Sequence, residues 1–365
     1  PCSFSSPRDY PDDECRGIIL AQAVENDVPC SQFITHSQAR VFDSETKQSM
    51  SMDNYQVPPF QTSVAAWLGN ARGAFVLFYD DGCDSAFEIA VPSLVRNQVA
   101  ATFYLCAGWF DKNPENLVRW GEAFKNGNGN IFIGNHTWSH SGAKDLSSAE
   151  FEICQNDEVL RSLAGIPADK LMSYMGPGAC EWLITPEQTE SILKRRKLLY
   201  RPNDHKTREL LVAGRTHHTA EDVIAVMDTA ESSGSLETML FHGIGGDWFN
   251  FSPTEHELII QELARRNRAQ TLWTGACIEV QKYVAEREAA TVSTTTKPDG
   301  SAEITLCVDL PPEFDTPLTL LTSVPDDWTR TIITIAGRSF EVPVENGIVK
   351  YDVKPASGSV RLSKK

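Results

Sequence analysis

Residues 73–274 alternate short apolar runs with helical stretches, and this alternation limits the possible folds more than any other feature of the chain. The apolar runs are rich in β-branched and aromatic residues, which is typical of buried strands. Strands are predicted at residues 73–79, 100–106, 130–135, 171–175, 198–202, 236–242 and 269–274. Repeated strand–helix units indicate a parallel sheet covered by helices. About seven units favour a barrel over an open sheet, although spacing alone does not separate the two.

The helices between these strands have start signals of their own. Ser147 with Glu150 predicts a capping box. Thr185 followed by Pro186 predicts a cap and a proline in the first helical position. These signals support an α/β fold with one helix after each strand.

The sequence divides into three predicted parts. Residues 65–288 carry the strand–helix pattern and are predicted to form the barrel. Residues 1–64 are irregular and are predicted to pack on the barrel. After a polar linker, TVSTTTKPDG, residues 291–365 show short alternating runs separated by turns, which predicts a small all-β, sandwich-like domain. That domain has no motif of chemistry, so its expected role is packing or carbohydrate contact.

Charge and hydropathy exclude some classes of partner. The formal net charge is −16, which disfavours nucleic acid and anionic membrane, since both attract basic surfaces. No apolar run reaches the length of a membrane span, so we expect no membrane insertion. The oligomeric state is not predictable from these features.

The cysteines favour an oxidising compartment. Of nine cysteines, Cys2, Cys15 and Cys30 crowd the N-terminal segment, which predicts a disulfide there and a secreted protein whose signal peptide has been removed. Asn135 begins a glycosylation sequon that overlaps a histidine pair. A glycan there would block a site, so we expect Asn135 to be unmodified.

That histidine pair lies in HTWSH, directly after a predicted strand. His136 and His140 are four residues apart, and two imidazoles on one turn can reach a single zinc ion whose remaining positions take a carboxylate and water. The pair by itself is equally compatible with two polar loop residues.

Two further strand ends carry titratable residues. Asp80 and Asp81 follow the first strand, where a buried charge without a partner would be unfavourable. Beside a metal ion, one carboxylate can ligate while the other acts as a base. His242 ends the strand at 236–242. In a barrel, the carboxyl ends of the strands meet at one edge, so these residues are predicted to converge.

The motifs FYDDG (78–82), HTWSH (136–140) and LFHG (240–243), in this order, resemble the signature motifs of the polysaccharide deacetylases, carbohydrate esterase family four. The resemblance covers roughly residues 65–288 and implies a distorted (β/α)7 barrel. It also implies a divalent metal, for which we expect Zn²⁺, and an acetylated poly- or oligosaccharide as substrate.

The resemblance implies a role for each matching residue. Asp80 corresponds to the base that deprotonates a metal-activated water, and His242 to the acid that protonates the leaving group. The implied metal ligands are Asp81, His136 and His140. Leu240 corresponds to the wall of the acetyl-methyl pocket.

The family's third motif, Arg-x-Pro-Tyr-Gly, is altered here. Met175 replaces the arginine, Pro177 is kept and Gly178 replaces the tyrosine. Gly178 still offers a backbone N–H to an oxyanion, but the arginine that pairs with the base is lost. Arg201 is a candidate substitute for that arginine. Asp204 and Asp247 are candidates to orient His242.

Two tryptophans near the motifs, Trp138 and Trp248, suit stacking on sugar rings or packing in the core. His217 and His218 are interpreted as a solvated cap region, and Cys83 as a buried or disulfide-bonded thiol.

These features predict a secreted, metal-dependent deacetylase, with N-acetyl sugars slightly favoured over O-acetylated xylan. The alternatives are a non-catalytic carbohydrate-binding protein on a degenerate barrel, motivated by Met175, and a hydrolase of small non-sugar amides.

Overall fold

The computed structural model describes residues 59–178, 180–200, 211–212 and 219–365. Its strands are β1 (Thr62–Val64), β2 (Gly73–Asp80), β3 (Ala101–Leu105), β4 (Ile131–Asn135), β5 (Met172–Tyr174), β6 (Leu198–Tyr200), β7 (Leu211–Val212), β8 (Leu236–Phe241), β9 (Leu272–Trp273), β10 (Ala290–Thr296), β11 (Ala302–Val308), β12 (Leu318–Ser323), β13 (Arg330–Ile335), β14 (Arg338–Pro343), β15 (Ile348–Val353) and β16 (Val360–Lys364). Its α-helices are α1 (Val91–Asn97), α2 (Pro114–Asn126), α3 (Leu146–Ala164), α4 (Pro186–Arg195), α5 (Ala220–Ser233), α6 (Pro253–Arg268) and α7 (Cys277–Ala289).

A parallel sheet of eight strands forms the first part of the fold. Seven strands follow the order β6-β5-β4-β3-β2-β8-β7, and β9 pairs with β2 outside this path. Among the described residues, β6 and β7 do not pair, so the curled sheet is open between them. The prediction of a distorted (β/α)7 barrel is confirmed. Each predicted strand run overlaps one of these strands, and β7 is the one strand of the sheet that was not predicted.

Side chains of β2 alternate between two apolar environments. Phe75, Leu77 and Tyr79 belong to the large cluster that joins the sheet to the helices around it. Val76 and Phe78 belong to a smaller cluster inside the barrel. All eight residues of β2 are buried, as expected for a strand with both faces covered.

The predicted helix caps are partly confirmed. Thr185 caps α4, and its side chain accepts a hydrogen bond from the Gln188 backbone. The predicted capping box of Ser147 and Glu150 is wrong, because Asp145 is the N-cap of α3 and pairs reciprocally with Ser148. Aspartate and serine are both good cap residues, so the sequence offered two starts for this helix.

The C-terminal part is the predicted all-β, sandwich-like domain. One antiparallel sheet has the order β10-β11-β16-β13-β14, and a smaller one has the order β1-β12-β15. Apolar side chains of both sheets form one core, which includes Ile304, Leu320, Ile333 and Val349.

The junction between barrel and β-domain differs from the prediction. Most of the segment predicted to be a polar linker, residues 291–300, belongs to strand β10 at Ala290–Thr296, which begins directly after α7. It is an edge strand whose alternate residues are exposed, and its threonines therefore suggested a linker. Thr62–Val64, at the end of the segment predicted as 1–64, pairs with β12 of the β-domain. No helix among the described residues is long and apolar enough to cross a membrane.

Candidate functional site

The site begins at a sharp turn after β2. Asp80 is the last residue of this strand, and Asp81 and Gly82 have φ values of 74° and 70°. A Cβ at Gly82 would lie 3.0 Å from side-chain atoms of Leu105 and Phe110, so both the left-handed backbone and the lack of space favour glycine. This turn brings two successive carboxylates to the carboxyl edge of the sheet.

The two histidines of HTWSH face Asp81. His136 follows β4, and its Nδ1 lies 2.9 Å from the Met175 carbonyl oxygen, to which it donates. Its Nε2 is 3.4 Å from Asp81 Oδ1, and His140 Nε2 is 3.7 Å from the same oxygen. One potential ligand atom from each of these three residues lies within 4.8 Å of the other two. Two imidazoles and a carboxylate with this geometry fit a divalent cation.

Asp80 and His242 flank this group from the barrel interior. Asp80 Oδ2 lies 3.9 Å from His136 Nε2, and His242 Nε2 lies 3.8 Å from Asp81 Oδ2. Phe78 pairs in register with Leu240, so Asp80 and His242, each two residues further, continue the same face of adjacent strands. The alternation of strand side chains thus brings the predicted base and acid together.

The buried carboxylates retain unused oxygen atoms. Asp80 Oδ1 and Asp81 Oδ1 are buried and make no hydrogen bond within the described ranges. Buried carboxylate oxygens normally have a partner. A cation at Asp81, and a water or substrate at Asp80, would supply one.

The charges of the site shift several pKa values. Burial opposes the ionisation of Asp81, but the nearby imidazoles, His136 foremost, outweigh it and lower the pKa of this carboxyl. Burial also opposes the protonation of His136, but Asp80 and Asp81 outweigh it and raise its pKa. Burial and the neighbouring His136 together lower the pKa of His140. An ionised Asp81 beside imidazoles is the electrostatic state that a cation site requires.

The HTWSH loop is held by polar residues to which the sequence analysis gave no structural role at the site. Asn135 Oδ1 accepts from the Thr137 backbone N–H at 2.9 Å and from Asn156 Nδ2 at 3.0 Å. Glu152 accepts from the Ser139 backbone N–H at 2.8 Å and from its hydroxyl at 2.5 Å. Glu152 and Asn156 are four residues apart on the buried face of α3, and two polar residues at core-facing helical spacing were the available signal.

Asn135 is fully buried, and its Nδ2 donates to the Ile153 carbonyl oxygen at 2.9 Å. This amide is therefore not accessible in the folded chain, which agrees with the expectation that it carries no glycan.

The two tryptophans predicted near the site occupy different environments. Trp138 is half-buried, packs against the core and contacts Phe151 edge to face. Trp248 is exposed, and its Nε1 donates to Asp81 Oδ2 at 2.7 Å. Trp248 thus contacts Asp81, one of the three residues of the candidate metal site.

The loop after β5 combines apolar packing with an open surface. The Met175 side chain packs against the apolar cluster inside the barrel, to which the buried Leu240 belongs. Pro177 is half-buried and Gly178 is exposed. Among the described residues, no atom lies within 4 Å of where a Cβ at Gly178 would be.

Asp247, a candidate to orient His242, instead accepts from the Ser85 backbone N–H at 2.8 Å and from the Ser85 hydroxyl at 2.6 Å. It links the loop after β8 to the loop after β2. The other candidates outside the signature motifs, Arg201, Asp204, His217 and His218, lie outside the described residues.

The cysteines that the structure describes carry no disulfide; they are Cys83, Cys106, Cys154, Cys180, Cys277 and Cys307. Burial raises the pKa of the Cys83 thiol, in agreement with a buried, inert group. The predicted N-terminal disulfide of Cys2, Cys15 and Cys30 lies outside the described residues and stays a prediction, as does secretion.

Comparison with protein families gives one match at this site. Residues 70–178 match the family model described as polysaccharide deacetylase. This range contains β2, β3 and β4 with Asp80, Asp81, His136 and His140. The resemblance to polysaccharide deacetylases is thereby confirmed for this part of the chain. The comparison with curated proteins finds no match.

Solved structures with a similar fold include a family 4 carbohydrate esterase from Streptomyces lividans in complex with acetate. It is 18% identical, with 56% of this chain and 93% of that chain covered and a TM-score of 0.40. The peptidoglycan deacetylase PdaC from Bacillus subtilis is 18% identical, with 60% and 94% covered and a TM-score of 0.39. A CE4 family pseudoenzyme from Bacillus anthracis is 12% identical, with 57% and 64% covered and a TM-score of 0.39.

Proposed function

We propose that this chain is a metal-dependent hydrolase that removes acetyl groups from an acetylated polysaccharide or oligosaccharide, with N-acetylated sugars favoured. The observation that carries the proposal is the convergence of two carboxylates and three imidazoles from the ends of β2, β4 and β8. The residues involved are Asp80, Asp81, His136, His140 and His242.

Asp81, His136 and His140 would hold the divalent cation, for which we propose Zn²⁺. When bound, this cation would polarise the acetyl carbonyl and lower the pKa of the attacking water. The Met175 carbonyl fixes the hydrogen of His136 on Nδ1, so Nε2 is left with the lone pair that a metal ligand needs.

The remaining chemistry belongs to Asp80 and His242. Asp80 Oδ1 is free to accept the proton of a water as its oxygen attacks the acetyl carbon. His242, on the neighbouring strand, would give a proton to the departing nitrogen as the C–N bond breaks, which yields acetate and the free amine. We further propose that the Gly178 backbone N–H stabilises the oxyanion and that Leu240 lines the acetyl-methyl pocket.

A second candidate is a carbohydrate-binding protein without turnover. Met175 packs its side chain into the apolar barrel interior, whereas the resemblance implies an arginine paired with the base. In the part of the chain that is described, no arginine or lysine forms an ion pair with Asp80.

Acetate release tests the proposal. Wild-type chain and Asp80→Asn, each stripped of metal and resupplied with zinc, are incubated with N-acetylchitooligosaccharides, peptidoglycan and acetylated xylan. Metal-dependent release by the wild type and a loss of at least about 100-fold in Asp80→Asn are expected, since general bases contribute about that much or more.

Asp84→Asn is the matched control, because Asp84 is exposed, lies three residues after Asp81 and, within the described part of the chain, accepts a side-chain hydrogen bond from Asn116 rather than from a site residue. Release from xylan alone would indicate an O-deacetylase. Tight zinc and sugar binding with no release from any substrate would favour the binding protein.

A further inference from the structure

Three exposed aromatic side chains surround the metal-site residues. Trp109 is 44% exposed, Trp248 is 39% exposed and Phe249 is 37% exposed. Trp109 follows β3, whereas the other two follow β8. The ring centroids of Trp109 and Trp248 are 5.8 Å apart and their planes meet at 72°. These three rings therefore form one apolar surface, with Trp109 on one side and Trp248 and Phe249 on the other.

This surface is continuous with the proposed active site. The Trp109 ring centroid lies 5.6 Å from that of His140, and the Phe249 ring centroid lies 4.9 Å from that of His242. A substrate that places an acetyl group at Asp80 and His242 and continues beyond it therefore passes over these rings.

Both indoles are fixed by the protein. Trp109 Nε1 donates to the Ser139 carbonyl oxygen at 2.9 Å, and Trp248 Nε1 donates to Asp81 Oδ2 at 2.7 Å. Their polar atoms are thus already bonded, and their outward faces offer apolar contact. A cluster of exposed apolar side chains beside a cleft marks a binding site, unlike apolar residues scattered singly.

We propose that Trp109 and Trp248 are a stacking platform for the pyranose ring next to the acetylated sugar. The C–H faces of a sugar ring can lie on an indole face while its equatorial hydroxyls remain in water, which suits an aromatic that is apolar and half-exposed. A protein partner fits less well, because a stable interface needs about 20 to 30 residues on each side. This inference rests on the proposed function, and it specifies which sugar unit of the substrate the two indoles contact.

Binding and turnover of tetra-N-acetylchitotetraose test the platform with Trp109→Ala. We expect KM to rise by about tenfold, the upper range for an aromatic contact, with a much smaller change in kcat. Calorimetric titration of the tetramer into Asp80→Asn, with and without Trp109→Ala, should show the same loss without turnover. Phe340→Ala, which removes a 42% exposed aromatic from the β-domain edge strand β14, is the control and should match the wild type.

A measurement of zinc affinity shows whether Trp109 contacts the sugar or acts only by supporting His140. Because Trp109 also contacts His140, each variant is titrated with zinc under competition by a chelator. A loss of sugar affinity that persists at saturating zinc supports the platform. Full recovery of sugar affinity at saturating zinc overturns it, since the indole would then act only through His140.

The platform and the hydrolase proposal fail in different ways. If Trp109→Ala releases acetate with an unchanged KM, the platform proposal is contradicted and the hydrolase proposal stands. If the wild type binds the tetrasaccharide but releases no acetate, and Trp109→Ala loses this binding, the platform is supported and the hydrolase proposal is contradicted. If the wild type neither binds nor deacetylates the tetrasaccharide, the platform proposal is contradicted.

Discussion

Asp81 divides its two carboxylate oxygens between different partners. Oδ1 faces the Nε2 atoms of His136 and His140, at 3.4 and 3.7 Å. Oδ2 accepts the Trp248 indole N–H at 2.7 Å. The indole therefore holds the carboxylate in the orientation that presents Oδ1 to the two imidazoles, as the proposed metal site requires.

Trp248→Phe removes this N–H and keeps an aromatic ring. We expect zinc affinity to fall by about 10- to 100-fold, since the partners that orient metal ligands typically contribute that much. Competition with a chromogenic chelator measures the affinity directly, without any dependence on activity.

Trp67→Phe is the matched control for this experiment. Trp67 is buried, and its Nε1 donates to the Gly234 carbonyl oxygen at 2.9 Å, away from the metal-site residues. It loses the same type of hydrogen bond and should keep wild-type zinc affinity. Equal affinities of Trp248→Phe and the control would contradict an orienting role for Trp248.

The convergence of the candidate-site residues was predictable because they follow strands. Asp80, Asp81 and His136 each come directly after, or end, an apolar run, and parallel strands bring such ends together. Trp109 and Phe249 were not predictable in this way. They join the site through loops that are far apart in sequence, and no periodic pattern records how a loop returns to its neighbour.

At the scale of elements, helix α3 connects the site to the core. Asn156 on this helix accepts from the Ala107 backbone N–H at 2.8 Å. It donates to the Leu105 carbonyl oxygen at 2.8 Å and to Asn135 Oδ1 at 3.0 Å. One side chain therefore satisfies the backbone after β3 and the residue that supports the HTWSH loop.

Asn156→Ala should destabilise the fold by about 3 kcal/mol. The change leaves buried polar groups without partners, and each such group costs about 1 to 3 kcal/mol. Urea unfolding of the metal-free chain measures the difference in free energy of unfolding.

Asn130→Ala is the comparison, because Asn130 is also buried but, within the described residues, its side chain bonds only to the nearby Gly127 carbonyl oxygen. A smaller loss is expected there. Equal losses in the two variants would mean that the bridge made by Asn156 adds no stability.

The positions of most strands and helices were predictable from the sequence, but the start of α3 and the connection to the β-domain were not. Strand positions follow from apolar runs that are continuous because both faces of the sheet are covered. The start of α3 was misplaced, because Asp145 and Ser147 are both favourable caps and only the fold selects between them. Strand β10 was missed, because an exposed edge strand of threonines has the composition of a linker.

At the scale of the whole molecule, one buried histidine links stability to pH. His256 is fully buried under the sheet, and its Nε2 lies 2.6 Å from the Tyr79 hydroxyl. Burial lowers the pKa of His256 to about 4 and raises that of Tyr79 well above its usual value. The neutral tyrosine therefore donates to a neutral imidazole.

Protonation of His256 thus favours unfolding. The folded pKa, about 4, is below the ordinary value of 6.5, so the unfolded chain takes up the proton first as pH falls. The contribution of neutral His256 to the free energy of unfolding is complete above pH 6.5. It declines between about pH 6.5 and 4 and changes no further below pH 4. Its full extent is about 3 kcal/mol, at roughly 1.4 kcal/mol per pKa unit.

His256→Leu should remove this part of the pH dependence, although it also removes the hydrogen bond from Tyr79. Urea unfolding at several pH values, with chelator present, gives the free energy of unfolding for both chains. The difference between wild type and variant should shrink by about 3 kcal/mol from pH 7 to pH 4. A constant difference over that range would rule out a neutral, buried His256.

The junction after α7 has a mechanical consequence. The helix ends at Ala289 and β10 begins at Ala290, and Tyr283 of the helix belongs to the core of the β-domain. A flexible linker lets an attached module sweep through a volume whose size depends on linker length. Here no linker residue separates helix from strand, so a molecule bound on the β-domain would stand at a set distance from the strand ends that carry Asp80 and His242.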